Sequence, residues 1–255
     1  MTSDKWRATE TPVTRHLSLV TCHFSPVIRA IFFDAGATLL HPDPPVEQVY
    51  AREFAKEGAP FSPEDFASAL TRAWEEVHSQ AAADRYGGVA GEAEFWSRFL
   101  NRVRGFLDGG SVSPEAFARL ATHFRDPTSW AIYDDVIPAL DTLAARGLVF
   151  AVVSNWDSYL PALLESLGLS ARFRTISVSA IEQTGKPAPE IFLRTCERLH
   201  VAPGQVLHVG DSMAEDYQAA RAAGLASLLL DRGGRHPGVA DRIESLVEIS
   251  ARLGT

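Results

Sequence analysis

From about residue 127 onward, short and continuous apolar segments alternate with segments of helical periodicity. The apolar segments predict strands, and the clearest are "LVFAVVSN" and "QVLHVGDS", which end at Asn155 and Ser212. Apolar runs without polar alternation indicate strands buried on both faces, as in a parallel sheet. The intervening helical segments supply the crossovers that parallel strands need. The sequence therefore predicts a Rossmann-like α/β core with a parallel sheet, and ligands bind such sheets beyond the carboxyl ends of the strands.

An earlier apolar segment, "VIRAIFF", predicts a further strand over Val27–Phe33. The proline-rich sequence "HPDPP" follows and reads as a loop. Four helical patterns come next without a strand pattern between them, and two of them begin with Ser-Pro-Glu, a typical helix start. We therefore predict an all-helical insertion over residues 45–126, within an α/β core made of residues 27–44 and 127–255.

Composition and charge limit the classes of partner. Residues 1–26 show no strong periodicity and no apolar stretch long enough for a signal peptide, so we expect a poorly ordered tail or an extra strand. The net charge of −8 is a poor electrostatic match for nucleic acid or an anionic membrane. No apolar run approaches the roughly 20 residues of a membrane helix. Cys22 and Cys196 lie far apart, and we expect two free thiols in a reducing cytoplasm, with a disulfide between them as the alternative. Nothing in the pattern indicates an oligomeric state.

Polar residues follow several of the predicted strands at the point where each strand ends. They lie in four segments: Asp34, Gly36 and Thr38; Ser154 and Asn155; Lys186 in "TGKPAP"; and Gly210, Asp211, Ser212, Glu215 and Asp216. Because the carboxyl ends of parallel strands meet at one edge of a sheet, we expect these residues to lie close together.

The chemistry of this set can be argued from the residue types. Neighbouring carboxylates repel each other, and a hard divalent cation such as Mg²⁺ relieves that repulsion through oxygen ligands. Lys186 would offset the remaining negative charge. Backbone N–H groups after Asp34, together with Thr38, Ser154 and Asn155, could cradle phosphate oxygens. An aspartate can also act as a nucleophile and form an aspartyl-phosphate that water hydrolyses. Taken singly, each residue has a simpler interpretation as a turn residue, a helix cap or a solvated lysine.

In their order, these motifs resemble those of the haloacid dehalogenase (HAD) superfamily of hydrolases, in its members with a helical cap inserted after the first motif. The resemblance spans about residues 28–248 and rests on "FFDAGATL", "VVSN", "GKPAPEIF" and "HVGDSMAEDYQAARAAG". It implies a Mg²⁺-dependent phosphatase that acts on a small phosphorylated molecule through an aspartyl-phosphate. It also implies that the inserted helices form a cap that closes over the substrate and excludes water.

The resemblance further implies a role for each site residue. Asp34 would be the nucleophile, and Lys186 would orient it and balance its charge. The implied phosphoryl-binding residues are Thr38, Ser154 and Asn155. The implied metal ligands are Asp34, the backbone carbonyl of Gly36, Asp211 and Asp216, the last either as a direct ligand or as a partner of one.

Gly36 departs from the family pattern. Phosphatases of this family usually carry a second aspartate at this place, which protonates the leaving oxygen and later activates water. Gly36 has no side chain for this purpose, and general acid–base catalysis is typically worth roughly 10²–10⁴ in rate. The metal contact at this position is made by the backbone, so glycine should preserve it. We expect a metal-competent site with weakened proton transfer, in which His41 and Asp43 are either substitutes for the acid or ordinary loop residues.

Three functions stay open on the sequence. The first is the phosphatase, and the second is a non-catalytic phosphate-binding, metal-binding or interaction protein of the same fold. The third is a haloacid dehalogenase, because those relatives also lack the second aspartate, although they work without a metal and "GDSMAED" argues for one. Trp74 and Trp96 are predicted to pack the cap or, alternatively, to line the substrate pocket. Trp156 directly follows the second motif and is the better candidate for a pocket wall.

Overall fold

A computed structural model of the protein describes residues 27–79 and 88–254. Its strands in chain order are β1 (Ala30–Phe33), β2 (Leu40–Pro42), β3 (Trp130–Ile132), β4 (Val149–Ser154), β5 (Thr175–Val178), β6 (Val206–Gly210), β7 (Ala226–Leu230) and β8 (Arg242–Ile243). Six of them form a parallel sheet in the order β5-β4-β1-β6-β7-β8. The predicted α/β fold with a parallel sheet is confirmed.

The central position of β1 decides where the site lies. Phe33 pairs with Val152 of β4 on one side and with Val209 of β6 on the other. The chain therefore leaves these three strands side by side, and the residues that follow them meet at one sheet edge. All of β1 and β6 is buried, as continuous apolar runs predict for strands covered by helices on both faces.

Where the structure describes it, the inserted segment contains four helices. They are α1 (Val46–Ala55), α2 (Pro63–Ser79), α3 (Gly88–Leu107) and α4 (Pro114–Arg125). Ser113 begins α4 as predicted, since its hydroxyl accepts a hydrogen bond from the Ala116 N–H at 3.0 Å. These helices share a hydrophobic cluster of their own, centred on Phe54, Phe66 and Val103. We call them the cap, and the exact boundaries between cap and core stay a prediction.

The remaining helices cover the sheet. They are α5 (Val136–Ala145), α6 (Leu160–Ser166), α7 (Ser179–Glu182), α8 (Glu190–Leu199), a π-helix (Met213–Gln218), α9 (Ala219–Ala222) and α10 (Ile249–Arg252). The helix α5 is followed by Gly147 at φ +76°, a conformation that favours glycine at a helix end. Two clusters of buried apolar side chains, one on each face of the sheet, make up the core.

One prediction from the sequence needs correction. The "HPDPP" segment was predicted as a loop, but its first residues belong to β2, which pairs antiparallel with β3. The two strands have only three residues each, too few to produce a periodic signal, and the prolines that follow concealed them. This pair lies where the chain leaves the core for the cap and where it returns. The predicted N-terminal tail lies outside the described residues.

Within the same described ranges, no helix combines the length and apolarity required to cross a bilayer. Cys196 is buried in the core and forms no disulfide with another described residue, and desolvation raises the pKa of its thiol to about 11. The other cysteine, Cys22, lies outside the described residues, so the alternative of a disulfide remains an open prediction.

Candidate active site

The three central strands bring the predicted nucleophile together with its neighbours. Asp34 directly follows β1, Ser154 ends β4, and Asp211 directly follows β6. Asp34 is buried, and the Ser154 hydroxyl hydrogen-bonds to its carboxylate. The strand pairing alone therefore assembles residues more than 150 positions apart in sequence around one carboxylate.

Lys186 joins two of the carboxylates. Its Nζ lies 2.6 Å from Oδ1 of Asp34 and 2.5 Å from Oδ1 of Asp216, and its side chain is 2% exposed. Burial alone would lower the pKa of Lys186, but the charges of Asp216 and Asp34 outweigh it and raise the pKa above its usual value. The lysine is therefore a fixed cation that orients both acids.

Asp216 is held on every side. Besides Lys186, His208 donates from Nε2 to Oδ1 at 2.9 Å, and the Ser212 N–H donates to Oδ2 at 2.9 Å. Burial alone would raise the pKa of Asp216, but Lys186 and His208 hold it well below the usual range. A Cβ at Gly210 would lie 2.2 Å from Cγ of Asp216, so only glycine leaves room for this carboxylate.

Asp34, Asp211 and Asp216 form the part of the site that could hold a cation. One carboxylate oxygen from each lies within 4.8 Å of the other two. Desolvation, reinforced by the neighbouring carboxylates, raises the pKa of Asp211 to about 8. Desolvation also raises the pKa of Asp34 to about 6, although Lys186 opposes it. Three acids against one lysine leave an excess of negative charge, and an oxygen-only donor set of this kind suits a hard divalent cation.

The side-chain amide of Asn155 hydrogen-bonds to the backbone of the loop that carries Lys186. Its Oδ1 accepts from the Lys186 N–H at 2.7 Å, and its Nδ2 donates to the Lys186 carbonyl at 2.8 Å and to Oε2 of Glu215 at 2.9 Å. A Cβ at Gly185 would lie 2.5 Å from the same Oδ1, so glycine permits this approach. The geometry makes Asn155 a positioning residue for Lys186, and its predicted contact with a phosphoryl group stays a prediction.

Three predicted residues lie away from the cavity over Asp34. Thr38 is fully buried, does not line the cavity, and its Oγ1 has no hydrogen-bond partner among the described residues. The His41 ring packs against Tyr133 with centroids 4.6 Å apart, and Asp43 is exposed on the following turn. Neither His41 nor Asp43 lines the cavity, so the structure does not support either as a replacement acid.

A cavity of about 900 Å³ lies between the cap and this sheet edge. Asp34, Lys186 and Asp211 line its floor, while much of the rest is aromatic. Trp74 and Trp96 line the cavity and also pack together, with ring centroids 6.1 Å apart, so both alternatives predicted for them hold.

Trp156 lies against the nucleophile loop. A Cβ built on Gly36 would lie 3.1 Å from Cζ3 of Trp156, inside ordinary carbon–carbon contact. Trp130, which begins β3, lies beside it with ring centroids 5.0 Å apart. The indole of Trp156 therefore occupies the space that a side chain at position 36 would enter, as expected for a pocket wall.

Among the described residues, a polar contact beside the cavity joins helix α3 of the cap to the core. Glu92 of α3 accepts from the Ser158 N–H at 2.5 Å and from the Ser158 hydroxyl at 3.0 Å. The contact lies two residues beyond Trp156, beside the cavity. It ties this part of the cap to the core loop that carries Trp156.

Sequence reasoning missed several residues of the site. His208 was hidden because a histidine inside an apolar strand resembles any other buried position. Trp130 and Arg235 line the cavity from segments with no recognisable motif. The position of His208 could have been predicted from strand geometry. Side chains two residues apart in a strand lie on the same face, and His208 lies two positions before Gly210 at the end of β6.

Comparison with known proteins identifies the family. A model of the haloacid dehalogenase-like hydrolase family matches residues 28–224. Haloacid dehalogenase-like hydrolase domain-containing protein 3 of Danio rerio is 30% identical over 236 residues, which cover 89% of this chain and 96% of that protein. Phosphoserine phosphatase of Thermus thermophilus is 30% identical over 219 residues, which cover 82% of this chain and 84% of that protein.

Solved structures agree. The crystal structure of a HAD phosphatase from Thermococcus onnurineus matches with a TM-score of 0.61 at 28% identity, over 89% of this chain and 98% of that one. The match over most of both chains includes the sheet and the cap. Sequence and structure together show that this chain belongs to the haloacid dehalogenase-like hydrolase family.

Proposed function

We propose that the protein is a Mg²⁺-dependent phosphatase that hydrolyses a phosphate monoester through an aspartyl-phosphate on Asp34. The observation that carries this proposal is the buried pair of Asp34 and Asp216 bridged by Lys186, with Asp211 within 4.8 Å of both acids. The similarity to phosphoserine phosphatase of Thermus thermophilus supports phosphate as the group transferred.

The residues of this chain account for the first half of the reaction. Burial raises the pKa of Asp34 to about 6, so near pH 7 the carboxylate is mostly ionised and can attack phosphorus. The new bond joins its oxygen to phosphorus while the bond from phosphorus to the ester oxygen breaks. Lys186 keeps the carboxylate oriented, and its charge opposes the build-up of negative charge as the two anions meet.

Water completes the cycle by attacking phosphorus, which releases inorganic phosphate and restores the Asp34 carboxylate. Asp34, Asp211, Asp216 and the Gly36 carbonyl are the groups that would hold Mg²⁺. When bound, the ion would screen the charges of the substrate and the carboxylates. Asp216 is held rigidly by His208 and Lys186, so the ligands would need little reorganisation.

Gly36 limits the rate of this chemistry. Because it offers no acid, the leaving oxygen departs without a proton from this position, and roughly 10²–10⁴ in rate is absent for poor leaving groups. The proposal therefore includes a preference for esters whose leaving oxygen is a stable anion.

The test is hydrolysis of p-nitrophenyl phosphate with and without Mg²⁺. We expect turnover that requires the metal and that falls by at least a thousandfold in Asp34→Asn. Asp43→Asn is the matched control, because it makes the same chemical change in the same loop at an exposed carboxylate outside the cavity. Parent protein that releases no phosphate with Mg²⁺, while its circular dichroism shows a folded chain, would contradict the proposal.

The absence of an acid at Gly36 also fits a dehalogenase, the second candidate. Its assay is chloride release from 2-chloropropionate in the presence of EDTA. Because three clustered carboxylates repel one another without a cation, we expect no release. Chloride release without metal would favour the dehalogenase, and silence in both assays would favour a non-catalytic protein of the same fold.

A further inference from the structure

We propose that the organic part of the substrate is a flat aromatic group, so that the protein acts on phosphate monoesters of phenols. This inference rests on the proposed phosphatase function and names its substrate class. It follows from the chemistry of the cavity over Asp34 and from the position of Trp156.

The cavity is much larger than a phosphoryl group. Its volume is about 900 Å³, and a phosphoryl group bound at Asp34 and Lys186 would fill only its floor. A substrate as small as a phosphorylated hydroxy acid would leave most of this space to water held against apolar walls. A bicyclic aromatic group displaces more of the water that lies against the apolar wall than a small hydroxy acid does.

The cap side of the cavity wall is rich in aromatic side chains. Tyr50, Phe95 and Phe99 line the cavity from the cap and are each no more than 6% exposed. Trp74 lies over Phe99 with ring centroids 4.4 Å apart, which gives a continuous aromatic surface. Burying a polar leaving group against such a wall costs free energy, because its donors and acceptors lose water without gaining partners. An aromatic ring gains from the same contact.

Charged side chains also line the wall of the cavity. Glu75, Arg125 and Arg235 are exposed, so their charges stay hydrated. Glu47, Glu92 and Asp157 are partly buried in the lining. Glu92 accepts from Ser158 and Asp157 accepts from the Tyr159 N–H, so these two carboxylates already have hydrogen-bond partners on the protein. The aromatic rings therefore supply most of the apolar surface that a ligand above the polar floor would meet.

The position of Trp156 restricts which leaving groups can depart. Its ring edge lies over Gly36, two residues from the nucleophile, where a side chain at position 36 would point. A leaving oxygen on that side meets an aromatic ring carbon in place of a proton donor. It must therefore depart as a stable anion, and a phenolate, with a conjugate-acid pKa of about 10, is a far better leaving group than an alkoxide.

The experiment uses four esters with full-length protein and Mg²⁺, and it measures phosphate release. Phenyl and 2-naphthyl phosphate differ in apolar area, benzyl phosphate keeps the ring but leaves as an alkoxide, and acetyl phosphate keeps a good leaving group without the ring. We expect a KM for 2-naphthyl phosphate about tenfold below that for acetyl phosphate. We also expect kcat for benzyl phosphate to be at least about a hundredfold below that for phenyl phosphate.

A pair of variants tests whether the aromatic wall of the cavity causes the lower KM for the aromatic esters. Trp96→Leu removes a partly exposed ring that lines the cavity, and we expect KM for 2-naphthyl phosphate to rise about fivefold while KM for acetyl phosphate is unchanged. Phe61→Leu is the control, because this ring packs on Phe66 within the cap and lies outside the lining. Equal effects of the two variants would overturn the inference.

Binding without turnover separates this inference from the proposed function. Calorimetry compares benzylphosphonate with methylphosphonate, neither of which can be hydrolysed. If no ester reacts but benzylphosphonate binds at least tenfold more tightly, the aromatic site stands and the phosphatase proposal fails. If acetyl phosphate and the aryl esters react with equal KM, the phosphatase stands and the aromatic site is overturned. Equal binding of both phosphonates without turnover overturns both.

Discussion

Restoring a carboxylate at position 36 is the sharpest test of how Gly36 and Trp156 interact. The backbone at Gly36 is not in the left-handed region, so an aspartate fits its conformation. Its Cβ would lie 3.1 Å from Cζ3 of Trp156, against about 3.5–4.0 Å for an ordinary contact, so the ring must move by several tenths of an ångström. Overpacking of this kind costs about 1–3 kcal/mol, and the partial exposure of Trp156 places the cost near the lower end.

The gain and the obstruction can be separated in a double-mutant cycle. A working acid is worth about 10²–10⁴ in rate for benzyl phosphate, whose alkoxide needs the proton. If the indole opposes the acid by about 1.4 kcal/mol, Gly36→Asp alone loses about tenfold of that gain. We therefore expect kcat for Gly36→Asp to rise about tenfold to a thousandfold, and the gain to be about ten times larger when Trp156→Leu is also present.

The assay is kcat for benzyl phosphate in the four proteins of the cycle, with unfolding in urea measured beside it. Gly36→Ala is the matched control, because it adds the same Cβ against Trp156 without a carboxylate. It should lose stability and gain no rate. An equal gain from Gly36→Asp with and without Trp156 would refute the obstruction, and a rate for Gly36→Asp no higher than for Gly36→Ala would refute the missing acid.

Three further predictions follow from the site and the cap contact. Because the pKa of Asp211 is raised to about 8, protons compete with Mg²⁺ below that pH, and calorimetry should show affinity rising about tenfold per pH unit from 6 to 8, then levelling. Lys186→Met leaves two buried carboxylates without their cation and should cost about 3–5 kcal/mol in urea unfolding at pH 8. The cost should be smaller at pH 5, since the carboxyls then take up protons. Glu92→Gln weakens the contact with Ser158, so acrylamide should quench tryptophan fluorescence more strongly and KM should rise with little change in kcat.

Each of these has a control within the chain. Lys56→Met removes an exposed lysine from Glu53, whose carboxylate keeps Arg52 and Arg119 as partners, and should change stability by less than about 1 kcal/mol. Glu94→Gln alters an exposed residue of the same cap helix and should leave quenching and KM unchanged. The reasoning fails for the metal site if Mg²⁺ affinity is constant from pH 6 to 8. It fails for the lysine if Lys186→Met and Lys56→Met unfold alike, and for the cap contact if Glu92→Gln and Glu94→Gln behave alike.

The fold could be predicted well from the sequence because the central strands β1 and β4 are almost entirely apolar and β6 is interrupted only by His208. That pattern placed β1, β4 and β6, and the strand ends then placed Asp34, Ser154 and Asp211. Short β2 was out of reach, since three residues before a run of prolines produce no periodicity. The prediction therefore failed where a strand is too short for its two-residue alternation to recur.

The hydrogen-bond partners and burial of individual side chains could not be predicted from the sequence. The order of the motifs predicted that Asn155 and Thr38 belong to the site. It could not show that the Asn155 amide hydrogen-bonds to the Lys186 backbone or that Thr38 is buried away from the cavity. The opposition of Trp156 and Gly36 was equally out of reach, because the two residues lie 120 positions apart. Such contacts depend on how loops from separate strands approach each other.

The separate hydrophobic clusters of cap and core have a consequence for how this chain tolerates change. A substitution in the cap interior alters packing among the cap helices without entering the sheet that carries Asp34, Lys186 and Asp216. The cap interior can therefore be repacked, and the aromatic wall of the cavity reshaped, while the contacts among Asp34, Lys186 and Asp216 stay as they are. Such changes would alter which molecules fit the cavity and leave the carboxylate–lysine floor intact.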